Sequence, residues 1–161
     1  MEQVEQIEIK KKKPIWRKVL GNGLYLIFIV AIVFGLPRLL SSVLNTPYPM
    51  AAITSGSMWP VLEEGDLVFV KGIMDQSELQ IGDIIVYRAG TTGGFTIHRI
   101  VAMKDASITT KGDANFGEDA PIVFKDVVGK TVTIGGKTFR IPYLGSVTVF
   151  ASNLKNDSRT K

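Results

Sequence analysis

The chain has 161 residues, 45% of them hydrophobic, no cysteine and a formal net charge of +4, a length that holds one modest domain plus a short appendage. The absence of cysteine excludes disulfide staples and thiol catalysis, but fits either redox compartment. The basicity does not point to nucleic acid, because residues 45–161 balance 12 Lys+Arg against 12 Asp+Glu while Lys10, Lys11, Lys12, Lys13, Arg17 and Lys18 cluster near the N-terminus.

That cluster precedes an apolar run. Residues 23–36 read GLYLIFIVAIVFGL without a charge, and extension back to Trp16 gives about 21 residues, or ~31 Å of helix, enough to span a bilayer. Lys/Arg clusters stay cytoplasmic, so the N-terminus is expected inside and everything after Arg38 outside. A cleavable signal peptide would share the basic start and apolar core. The following PRLLSSVLNTP lacks an A-x-A pattern and places bulky Leu40 before the most plausible cut, which favours an uncleaved anchor. The expected organisation is a basic cytoplasmic tail over 1–15, an anchor helix over 16–37, a membrane-proximal linker over 38–48, a β-rich domain over 49–150 and a polar tail over 151–161.

Pro37 and Arg38 are expected to mark the outer end of the span, since Pro cannot continue the hydrogen-bond ladder. Leu39, Leu40, Val43 and Leu44 form a short apolar stripe, which Asn45, Pro47 and Pro49 terminate. From Ala51 on, short β-rich runs alternate with turns: AAITSG, DLVFVKG, DIIVYRA after Gly82, FTIHRIVAM after Gly93-Gly94, SITTK, DVVGKTVTI and KTFRIPYLG. Gly135-Gly136 predicts a hairpin turn between the last two. The only hint of helical period lies at Met74 to Leu79. A mainly β domain follows, a small open sheet or a barrel closed on itself, with no internal repeat.

The sharpest local feature is SGSMWP, Ser55 to Pro60. A serine hydroxyl attacks only when held beside a base and presented to substrate, and a Gly-flanked strand end ahead of a proline turn can present it. Alone, the pattern reads equally as a turn. His98, the only histidine, lies in FTIHRIV, where period-2 alternation puts Thr96, His98 and Ile100 on one face; a lone strand histidine is also a common core residue. Asp113 and Asp119 follow in TKGDANFGED, where turn chemistry would explain them too. Together, Ser57, His98 and an aspartate at 113 or 119 supply a nucleophile, a base and a carboxylate to fix the imidazole tautomer. Asp66 and Asp83, in Gly-Asp pairs before strands, read as turn caps, and Arg99 should face away from His98.

SGSMWP, EEGDLVFV, IGDIIVY, IHRIV, TKGDANFGED and RIPYLG, in that order over residues 54–145, resemble the signal peptidase I family (peptidase S26). The closer likeness is to its archaeal and endoplasmic-reticulum branch, because His98 stands in HRI where the bacterial enzymes carry Lys before Arg. The resemblance implies a signal-peptidase/LexA-like β-fold behind a single N-terminal transmembrane helix, and a serine endopeptidase that removes signal peptides from exported preproteins. It implies Ser57 as nucleophile, His98 as general base, and Asp119 as the acid, with Asp113 as alternative orienter or support. Ser55, with the Ser57 N–H, would form the oxyanion hole. The substrate would add as an extended strand with small residues one and three positions before the cut.

Implied partners are preprotein signal peptides, the lipid bilayer and the translocation machinery, without nucleic acid, cofactor or metal. Two departures stand out: the segment after IPYLG is too short to span, and Ala114 stands where relatives often have Asn. Rival readings are a self-cleaving peptidase of the SOS-repressor kind and a membrane-tethered β-domain that binds secreted proteins without cleaving them.

Overall fold

The computed structural model of the chain describes residues 15–90 and 94–147. The expected tail over 151–161, all but the last residue of the tail over 1–15, and Gly93 of the expected Gly-Gly turn lie outside the described residues. The chain divides into two units, Met1–Arg38 and Leu39–Lys161.

Helix α1 (Ile15–Val30) passes into a wider π-helical turn at Ala31–Gly35, and helix α2 runs from Leu36 to Val43, past the division at Arg38. Leu24, Tyr25, Leu26, Ile27 and Phe28 are all exposed. So apolar and exposed a stretch suits lipid rather than a protein core. Residues Leu20–Val43 make 24 residues of mean hydropathy 2.3, about 36 Å of helix and enough to cross a bilayer. Pro37 does not stop the helix as expected. The wider turn just before it accommodates the ring and the missing N–H, and the Arg38 guanidinium donates to Phe34 O at 3.1 Å. The helix ends instead where Asn45 turns left-handed, at φ 50°, close to the Asn and Pro residues that predicted a stop.

The second unit is mainly β. Its strands are β1 (Met50–Ala52), β2 (Leu67–Lys71), β3 (Ile84–Arg88), β4 (Phe95–Lys104), β5 (Ser107–Lys111), β6 (Ile122–Val123), β7 (Val127–Thr131), β8 (Thr133–Ile134), β9 (Lys137–Thr138) and β10 (Arg140–Ile141). An antiparallel sheet runs in the order β1-β2-β7-β3-β4-β5-β6, with β10 also paired to β2. Strands β8 and β9 form the predicted hairpin, whose Gly135 and Gly136 have φ of 60° and 77°, a left-handed pair that suits glycine.

Strand β3 explains how the sheet is filled. Its Ile84-Ile85-Val86-Tyr87 run is buried throughout, because the strand is covered on both faces. Ile84 packs with Ile53, Met58, Leu62 and Val68, while Ile85 and Tyr87 pack with Leu79, Ile100 and Ile108. Burying such a side chain is worth about 1.5–3 kcal/mol. The two clusters therefore clamp the sheet from either side.

Turns between strands are fixed by carboxylates, as the Gly-Asp pairs suggested. Asp66 accepts from Glu63 N at 2.9 Å and from Arg140 at 2.6 Å. Asp83 accepts from Gln80 N and from Lys130, each at 3.0 Å. The helical hint at Met74 to Leu79 becomes one short turn, Gln76–Glu78, closed by a capping box between Asp75 and Glu78. A single turn has too few internal hydrogen bonds to grow into an α-helix.

Candidate active site

The face of β4 that carries Thr96, His98 and Ile100 looks onto the second cluster. Register places Ile85 opposite His98, Tyr87 opposite Thr96 and Thr110 opposite Ile100, so Tyr87, His98 and Thr110 project from three adjacent strands on one face. The floor of that face is Ile85, Ile100 and Ile108. His98 sits at its rim, 8% exposed.

Ser57 reaches the same place from a one-turn helix, Gly56–Met58, that follows extended Ser55. Met58 anchors this turn, being only 1% exposed within the first cluster, and Leu62 N and Trp59 N close it onto Met58 O and Gly56 O. Burying Met58 leaves its neighbour Ser57 at the surface of the core. Ser57 Oγ lies 3.2 Å from His98 Nε2 and 3.3 Å from Ser55 Oγ. A cleft of about 360 Å³ opens beside it, with Met50, Ala52, Ile53, Ser55 and Ile97 in its walls.

The loop after β5 brings the two aspartates to different partners. Asp119 Oδ2 lies 2.5 Å from His98 Nδ1, and Asp119 N donates to Thr110 O at 2.8 Å. Asp113 meets Arg99 instead, through Nε at 2.8 Å and Nη2 at 2.6 Å, and Arg99 also donates to Gly82 O at 2.8 Å. Arg99 faces away from His98, as strand alternation requires. The loop also grips the serine: Ala114 N donates to Ser57 O at 2.9 Å. Gly112 permits that approach, since a Cβ there would stand 2.7 Å from Ser57 O and 2.6 Å from Asn115 Nδ2. Of the residues singled out from sequence, Ser55, Ser57, His98 and Asp119 converge, and Asp113 stands apart on Arg99.

An ionised carboxylate only accepts, so Asp119 requires the His98 proton on Nδ1 and leaves Nε2 to accept from the Ser57 hydroxyl. Burial pushes the Asp119 carboxyl up, but hydrogen bonds from His98 and Thr110, the His98 charge and a bond from Tyr87 outweigh it and hold the carboxyl below its ordinary value. The Thr110 and Tyr87 hydroxyls, at 2.7 and 3.1 Å from Oδ2, had no signal in the sequence. Only the register of three strands brings them together.

Comparison with known proteins gives the family. The family described as "Signal peptidase, peptidase S26" matches residues 22–146. The signal peptidase complex catalytic subunit SEC11 of Colletotrichum graminicola is 33% identical over 143 residues, covering 84% of this chain and 83% of that protein. The subunit of the same name from Verticillium alfalfae is 31% identical, covering 89% and 85%. That from Lachancea thermotolerans is 32% identical, covering 86% and 87%. With a match across most of its length and relatives covered over more than four fifths of theirs, the chain belongs to the signal peptidase family, peptidase S26.

Proposed function

We propose that this peptidase removes signal peptides from exported preproteins with Ser57 as nucleophile, His98 as general base and Asp119 as the acid that orients the base. The observation that carries the reading is the unbroken relay from Asp119 Oδ2 to His98 Nδ1 at 2.5 Å and from His98 Nε2 to Ser57 Oγ at 3.2 Å. In the reaction Ser57 Oγ attacks the scissile carbonyl as His98 takes its proton, and the imidazolium then protonates the leaving amine. Water, deprotonated by the same imidazole, hydrolyses the acyl-enzyme. Ser55 Oγ and the Ser57 N–H stabilise the oxyanion; such a donor is worth roughly 2.7–4 kcal/mol in the transition state.

Strand β1 begins the sheet order, paired on one side to β2. Its residues Met50, Ala51 and Ala52 line the cleft, which supports an extended substrate adding there by backbone hydrogen bonds. Asp113, committed to Arg99 by both oxygens, supports the loop. The apolar helix anchors the chain in a membrane, with Lys10 to Lys13, Arg17 and Lys18 on the cytoplasmic side and the β domain outside. The partners of that reading are preprotein signal peptides, the bilayer and the translocation machinery; the relatives are named as subunits of a complex.

The test is cleavage of a preprotein by detergent-solubilised full chain. Ser57→Ala should lower kcat by about 10⁶. Wild-type rates from Ser57→Ala would rule out the serine mechanism.

A further inference from the structure

Asp119 Oδ2 is crowded beyond what the relay needs. Besides His98 Nδ1 it takes the Thr110 hydroxyl at 2.7 Å and the Tyr87 hydroxyl at 3.1 Å, and those two oxygens are 3.1 Å from each other. Thr110 is wholly buried and Tyr87 is 3% exposed. Both sit on the face floored by Ile85, Ile100 and Ile108, where Val and Phe would fill the same space. A hydroxyl buried in such surroundings is costly unless it is bonded.

Each hydroxyl has one proton, and an ionised carboxylate offers only lone pairs, so both protons can turn to Oδ2. Tyr87 keeps its proton: burial pushes the phenol up, and despite the opposing Thr110 bond the neighbouring Asp119 charge adds to the rise. The other side of the carboxylate is open. The Asp119 side chain is 25% exposed and borders a second cavity of about 760 Å³, lined also by Thr96, Ala120 and Pro121. An untethered carboxylate could turn into that space and bond water instead of the imidazole.

We propose that Thr110 and Tyr87 are positioning residues whose hydroxyls lock Asp119 Oδ2 onto His98 Nδ1, with Thr110 the stronger of the two tethers. This rests on the assignment of Ser57, His98 and Asp119 made above. The lock acts on the chemical step and leaves substrate binding alone. Its loss lets the carboxylate rotate, so that the imidazole spends part of its time without the partner that fixes its tautomer.

His98 is the only histidine in the chain, so with ¹⁵N-labelled histidine the ring nitrogens and the downfield Nδ1 proton each give a signal with one possible source. The experiment uses the full chain in detergent, with a preprotein substrate for kinetics and the substrate-free protein for NMR. Thr110→Val should lower kcat about tenfold with KM within about twofold, and broaden the Nδ1 proton signal away. Thr110→Ser, which keeps the hydroxyl and loses the methyl, should retain both the rate and the signal. Tyr87→Phe should cost about threefold, in keeping with its longer bond.

A silent Thr110→Val overturns the inference. So does a Thr110→Ser variant as impaired as Thr110→Val, because packing of the methyl would then be what matters. The control is Asp119→Ala. If it cleaves at the wild-type rate, the acid assignment falls and the inference with it; if it is impaired while Thr110→Val is silent, only the inference falls.

Discussion

Asp113 and Asp119 stand six residues apart on one loop, yet they meet opposite kinds of partner. Asp113 spends both oxygens on the Arg99 guanidinium in two parallel bonds of 2.8 and 2.6 Å. Asp119 gathers an imidazole and two hydroxyls onto one oxygen. Arginine is permanently charged and planar, so the first pair is a fixed pin. An imidazole can take up and release a proton, so the second can follow one through a reaction. Both aspartates are present in the same local chemistry of Gly, Asn and Asp; what separates them is the strand face that each one reaches.

The sharpest way to break this contrast is to remove each carboxylate in turn. Asp119→Ala should lower kcat by about 10⁴, the scale seen when a triad loses its orienting acid, and should also cost some stability, because it takes the acceptor from two buried hydroxyls. Asp113→Ala should weigh on the fold more than on the rate. It strands a partly buried guanidinium, at a cost of about 2–3 kcal/mol, and loosens the loop that holds Ser57 O, so kcat should fall only some tenfold to a hundredfold. Thermal unfolding and preprotein cleavage, measured on the same samples, decide the matter. Equal activity losses in the two variants would mean that the pin and the orienter are not distinct.

Acid gives a smaller effect and a second separation. The Asp119 carboxyl is held below its ordinary value, so its stabilising contribution is full above the unfolded carboxylate pKa of about 3.9 and is lost only as pH falls through the lowered folded value. The base, in contrast, must be neutral to take the Ser57 proton. Acidification from pH 8 to 5, the range in which histidine side chains in general change charge, should therefore lower activity while the fold, followed by circular dichroism, stays intact. Return to pH 8 should restore the rate. A profile flat over that range would remove His98 as the base.

The sequence shows these roles unevenly. Local signals carried far: the β-rich runs, the Gly135-Gly136 hairpin and the alternation placing His98 and Arg99 on opposite faces all follow from short-range stereochemistry. The apolar run announced the helix, but not that it would pass Pro37 by widening a turn. The relay is a different matter. Ser57, His98 and Asp119 are brought together by Met58 burying its side chain, by the β3-β4-β5 register and by Asp119 N reaching Thr110 O, none of which is local. Tyr87 and Thr110 read as ordinary strand residues because their hydroxyls acquire a purpose only when a carboxylate arrives from another loop. The choice between Asp113 and Asp119 was likewise open to chain-order reasoning, since nothing near either residue in sequence says which side of β4 it will face.

The finest test of the pin keeps its charge and changes only its shape. Arg99→Lys preserves a cation opposite Asp113 but replaces a planar fork with a point charge, so the paired bonds to Oδ1 and Oδ2 and the bond to Gly82 O at 2.8 Å cannot all be kept. The expected loss is about 1 kcal/mol in stability, with kcat reduced by no more than about threefold, because Asp119 and His98 are untouched. If the pin works by charge alone, Arg99→Lys will unfold like the wild type; if geometry matters, it will fall between the wild type and Asp113→Ala. A kcat loss approaching that of Asp119→Ala would instead place Arg99 and Asp113 in the proton relay, and the two carboxylates would have to be read as one coupled site.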